Sequence, residues 1–150
     1  MPAELTYGLE RLAAFLQFKD SIYDVEWGGG ASYRDVRFND ELQFSVYNFE
    51  MANVETLWKL FELHEGEAAR LLRLFDPKLS DKSRFPLLPT YEHVLKCSHL
   101  FNTLDARGAI SVTERVAVIA RVRKLAVGLA GAWMDQQNAD AATEPAEAVQ

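Results

Sequence analysis

The sequence predicts a mainly α protein: a bundle of about four to five helices with a short β-strand or hairpin near the N-terminus. Three observations predict it. Apolar residues recur every three or four positions through most of the chain, the spacing of one helix face. Helix start and stop residues fall at the ends of these runs. The one break rich in strand-type residues is short and centred on Gly28-Gly29-Gly30.

Taken in order, Leu9, Leu12, Ala13 and Leu16 share a face, which predicts a helix from about Leu9 to Phe18. "SIYDVEW" supplies Ile22, Tyr23, Val25 and Trp27, strand-type residues that run into the glycine turn. "NDELQFSVYNF" predicts a helix from Asn39 to Phe49 with Leu42, Val46 and Phe49 on one side. Asn53 caps a longer helix whose inner face is Val54, Leu57, Phe61, Ala68, Leu71, Leu72 and Phe75. Glu55 in its first turn complements the helix dipole. "DPKLSDKSRFPLLP" is a loop, and Pro89 is expected at the first position of the next helix. That helix carries Tyr91, Val94, Leu95, Phe101 and Leu104 and stops at Gly108, a good residue just past a helix end. Ser111 and Glu114 form a capping-box pattern ahead of the longest helix. Its expected inner face is Val112, Val116, Ile119, Val122, Ala126, Leu129 and Trp133. Residues 138–150, small and acidic, are expected to be a disordered tail.

Composition narrows the function. With 49% hydrophobic and 25% charged residues, the 150-residue chain has the make-up of a globular protein with a real core. Its single cysteine, Cys97, allows no intrachain disulfide, so a cytoplasmic setting is expected. No run of about 20 apolar residues offers a membrane span. A net charge of −6 argues against wholesale nucleic-acid binding but leaves room for a local basic patch.

Few residues show readable chemistry. Gly28-Gly29-Gly30 lacks the Lys-Ser/Thr of a phosphate-binding loop and reads as a turn. His64, His93 and His99 show no metal-ligand spacing with Cys97, so no metal site is expected. Arg107, Arg115, Arg121, Arg123 and Lys124 form a basic cluster. It is either the solvated face of a helix, the commoner case, or a surface for RNA phosphate or an acidic partner. "YGLERL" puts Gly8, Glu10 and Arg11 at the start of the first helix. A glycine there admits close backbone approach, and an arginine one turn in can direct its guanidinium at a phosphate.

Longer stretches sharpen that last reading. "LTYGLERLAAFLQ", "VYNFEMANVETLWKLFELHEGEA" and "LDARGAISVTER" resemble the C-terminal half of the α subunit of the bacterial heterotetrameric glycyl-tRNA synthetase, over about residues 5–135. "YGLERL" resembles motif 3 of class II aminoacyl-tRNA synthetases, a strand running into a helix. Thr6 stands where many members carry an earlier glycine. The resemblance implies that Arg11 contacts ATP phosphates, that Gly8 packs near the adenosine and that Glu10 supports them. It also implies an expected division into residues 1–36, a motif 3 strand–helix and hairpin at the edge of a catalytic domain, and residues 37–137, a helical C-terminal domain.

The same resemblance implies an activity and a set of partners. The parent enzyme is a glycine-tRNA ligase that activates glycine with ATP, normally with Mg2+, and passes it to tRNA(Gly). Its partners are the β subunit, a second α subunit through the catalytic core, tRNA(Gly), glycine and ATP, with no membrane. Motifs 1 and 2 have no counterpart in these residues, so the catalytic set is incomplete and this piece is expected to be inactive alone, with neither ATP nor Mg2+ bound. Arg115, Arg121, Arg123 and Lys124 are its expected tRNA or β-subunit contacts. The alternative is a free-standing helical interaction domain in which "GLER" is accidental.

Overall fold

A computed structural model of the chain describes residues 4–78 and 81–141. Among these, α-helices dominate: α1 (Leu9–Leu16), α2 (Tyr33–Val46), α3 (Val54–Leu74), α4 (Leu87–Ala106) and α5 (Val112–Ala141). One antiparallel hairpin pairs β1 (Glu26–Gly28) with β2 (Ala31–Ser32). The chain divides into two compact units, Met1–Met51 and Ala52–Gln150.

In the first unit, α1 ends two residues before Phe18, which turns the chain with a φ of 53°. The strand-type run beginning at Ile22 opens as a single 3-10 turn, Ile22–Asp24, because the Ser21 hydroxyl accepts the Tyr23 amide. Strand pairing starts only at Glu26. Gly28 lies opposite Ala31, and Gly29 and Gly30 make the turn with φ of 60° and 82°. Two successive positive φ values match the twist of a tight hairpin and favour glycine. α2 begins at Tyr33, well before Asn39. Ser32 and Asp35 form a capping box, with the Ser32 amide donating to Asp35 at 2.8 Å and the Asp35 amide donating to Ser32 at 3.3 Å. This cap outweighs the strand propensity of Tyr33 and Val36. The expected α2 face is corrected as well: Leu42 and Phe49 are exposed, and Tyr33, Phe38 and Glu41 turn inward. α2 then widens into one π-helical turn over Tyr47–Met51.

The small core of this unit is Ala14, Val25 and Tyr33, flanked by Ala13, Ile22 and Tyr23. Polar links reinforce it. Gln17 donates to the Glu26 carbonyl at 3.0 Å and accepts the Glu26 amide at 2.7 Å, tying α1 to the hairpin. The hydroxyls of Tyr23 and Tyr33 both donate to Glu41, at 2.7 and 2.6 Å.

The second unit is three long helices in mutual contact. Asn53 caps α3, accepting the Thr56 amide at 2.8 Å. Phe61, Cys97 and Leu104 are fully buried at the centre of the packing. Pro89 is the third residue of α4, not the first; an N–H there would still lack an intrahelical partner, so the proline is tolerated. A Schellman motif ends α4: the Gly108 amide donates to Asp105, and the Ala109 amide to Leu104. Gly108 has the positive φ, 64°, that this motif needs. Ser111 and Glu114 cap α5 reciprocally, as the pattern predicts.

α5 also corrects its expected inner face. The buried stripe is Val118, Leu125, Leu129 and Ala132, with Val122 half-buried beside it. Val112, Val116, Ile119, Ala126 and Trp133 are exposed. Both stripes have helical spacing, and the two lie about 100° apart around one helix, so periodicity alone cannot choose between them. Contact with α3 and α4 chooses. Gln136 anchors the α3–α4 loop, donating to the carbonyls of Lys82 and Phe85. α5 runs on past Gln137 to Ala141; the rest of the expected tail, 142–150, lies outside the described residues.

Candidate functional site

Residues 4–8 form no strand, so the strand expected ahead of "GLER" is not made by the described residues. Gly8 is the N-cap of α1 with φ −74° and ψ 99°, a backbone shape open to any residue. The Arg11 stem lies back over it: a Cβ on Gly8 would sit 3.7 Å from Arg11 Cδ, an ordinary contact. Glycine is therefore not imposed by folding at this position. Arg11 is exposed on the first turn and forms no ion pair among the described residues. Glu10 is exposed beside it, in the first turn where the helix dipole favours an acid. Gly8, Glu10 and Arg11 thus stand together at one helix N-terminus, with the guanidinium available to an anion.

The basic cluster resolves into two kinds of residue. Arg121 grips Glu65 of α3 through two hydrogen bonds, Nε to Oε1 at 2.8 Å and a second from the other nitrogen. It also lies over the Phe61 ring at 4.7 Å. The Glu65 carboxylate holds its pKa above the usual arginine value. Arg115 pairs with Asp105 at 3.1 Å, and Arg107 donates to the Ala52 carbonyl at 3.1 Å. These three fasten the helices and helix ends of the second unit. Arg123 and Lys124 point to solvent and form no ion pair among the described residues. Sequence spacing could not separate the groups, because their carboxylate and carbonyl partners lie in other segments of the chain.

The structure also joins residues that the sequence leaves apart. His64 of α3 and His93 of α4 meet at 2.9 Å between their Nδ1 atoms. Partial burial, then the charges of His93 and Lys96, push the His64 pKa down. The Cys97 thiol is fully buried, faces the Phe61 carbonyl, and has its pKa pushed up to about 11 by burial, so it is no nucleophile. Among the described residues no group of three His, Cys, Asp or Glu side chains converges to hold a metal ion. No described helix is long and apolar enough to cross a membrane.

The family model for the glycyl-tRNA synthetase alpha subunit matches residues 1–138, nearly the whole chain. The chain belongs to the glycyl-tRNA synthetase alpha subunit family. Membership makes this a chain of ligase parentage, from an enzyme of aminoacyl-tRNA synthesis that uses ATP. The match spans both the Gly8–Arg11 junction and the exposed basic pair on α5. In this member of the glycyl-tRNA synthetase alpha subunit family, then, the two candidate surfaces lie in separate compact units.

Proposed function

We propose that this chain supplies two parts of a class II glycyl-tRNA synthetase: the motif 3 ATP contact in its first unit and a partner-binding helical domain in its second. The observation that carries the first part is the free guanidinium of Arg11, seated over Gly8 at a helix N-terminus. ATP phosphates would meet Arg11 as a bidentate cation, with charge that builds as pyrophosphate leaves offset by it. Gly8 would let the nucleotide approach the backbone, a role that fits its lack of any conformational need for glycine. Glu10 would orient a neighbouring group. The exposed Leu9, Phe15 and Leu16 of α1 suit a helix that lies against a larger catalytic sheet in the intact subunit. Arg11 alone does not make an active site, since adenylate formation needs several groups held together. Mg2+ would arrive with the ATP phosphates.

The test uses the intact α subunit mixed with β. Arg11→Ala is expected to lower glycine-dependent ATP–pyrophosphate exchange by about 100-fold, as loss of one transition-state charge contact does. Unchanged exchange would sink the assignment. The second part, contact with the β subunit or tRNA, draws on the solvent-facing Arg123 and Lys124.

A further inference from the structure

α5 carries two apolar seams at the 3–4 spacing of packed helices, and the bundle uses one of them. The other runs Val112, Val116, Ile119, then Arg123, then Ala126, Ala130 and Trp133. Val112 is 86% exposed, Val116 70% and Trp133 50%. α4 lies alongside and presents Leu88, Tyr91 and Leu95, also exposed. Between the two helices runs an open groove of about 360 Å3. Ala126 and Ala130 of α5 line it, together with the larger Leu88, Tyr91 and Trp133. Small residues flanked by large apolar ones are the relief that takes the ridge of another helix.

We propose that this groove and seam bind an amphipathic helix of the synthetase β subunit, about 20 residues long, with a carboxylate facing Arg123 and Lys124. The length comes from the seam, at about 1.5 Å per residue from Val112 to Trp133. The charge selects the partner. Arg123 stands midway along the seam, flanked by apolar residues, with no ion partner among the described residues. In a two-fold pairing of this seam with a second copy over its full length, parallel or antiparallel, Arg123 would lie against Arg123. Like charges placed there oppose self-association and favour a foreign acidic partner. An RNA backbone would satisfy the two cations but leave Val112, Val116 and Trp133 uncovered. The proposal rests on the reading of the second unit as a contact domain and names its surface.

The experiment measures binding of the purified chain to the cognate β subunit by calorimetry. Variants are Ala130→Glu, Leu88→Glu and Arg123→Glu, each at an exposed position, with helicity checked by circular dichroism. Each is expected to weaken binding about tenfold, the effect of losing one good contact of about 1.4 kcal/mol. Raising salt from about 50 to 300 mM is expected to weaken wild type more than Arg123→Glu. Wild-type affinity in all three variants would overturn the site while leaving β contact standing; failure of wild type to bind β would overturn both. A wild-type dimer that Ala130→Glu converts to monomer would overturn the foreign partner. tRNA binding lost in Arg123→Glu but kept in Ala130→Glu, with β binding unaffected, would give the surface to RNA.

Discussion

The two units solve the same folding problem by different means. The second, Ala52–Gln150, buries its large side chains: Phe61 and Leu104 have no exposed surface, and three helices share one core. The first, Met1–Met51, keeps Leu9, Phe15, Leu16 and Phe18 at the surface, each more than 70% exposed. It relies on a three-residue core, a glutamine that pairs with strand backbone, and one carboxylate held by two tyrosines. Apolar content alone therefore says little about stability. What matters is whether the fold covers it, and in the first unit most of it stays open to other surfaces.

The sharpest way to break this comparison is to truncate one phenylalanine in each unit. Phe61→Ala is expected to destabilise the second unit by about 3–5 kcal/mol in urea unfolding, as loss of a fully buried aromatic does. Phe15→Ala is expected to leave stability within about 0.5 kcal/mol, as exposed substitutions do. Equal losses would mean that α1 is covered after all.

A second test separates the arginines of α5. Arg121→Ala removes the forked bond to Glu65 and the stacking on Phe61. It is expected to cost about 1–2 kcal/mol, reduced from a buried pair because both groups are partly solvated. Arg123→Ala is expected to be neutral for folding. If Arg123 proved the costlier, the division into fastening and solvent-facing cations would fail.

The smallest effects come from pH and should differ between the units. His64 has its pKa pushed below the ordinary 6.5, so folding favours its neutral form. Its contribution to the second unit is full above 6.5 and is lost as pH falls below that value. Two facing Nδ1 atoms can share one hydrogen but not two. Glu41 is held below the ordinary 4.5, first by the Tyr33 hydroxyl and then by Tyr23. Its contribution to the first unit is full above 4.5 and is lost as pH falls through the lowered value. Acid titration followed by unit-specific tryptophan variants is expected to weaken the second unit first. His64→Phe should remove its earlier phase, and persistence of that phase in the variant would exclude the histidine pair.

Helix number, the hairpin and most caps were legible because they depend on neighbours in sequence. Asn53, Gly108 and the Ser111–Glu114 box did as their spacing predicts. The Ser32–Asp35 box was hidden beneath strand-type residues, though its spacing was in view. Of the candidate site, Gly8, Glu10 and Arg11 were readable as one group because a single helical turn brings them together. The His64–His93 pair was not, since its members come from two helices with a loop between them.

Helix starts and stops, the places where the chain must turn, and the family resembled by "YGLERL" and "LDARGAISVTER" could all be read from the amino-acid order. These rest on local backbone sterics, capping bonds and motif identity. Packing fixed which of α5's two apolar stripes is core and which is surface, and which arginines fasten the bundle. Those choices depend on side chains from α3 and α4 that lie far away in sequence, and one helix carrying two equally periodic faces cannot specify its own inside.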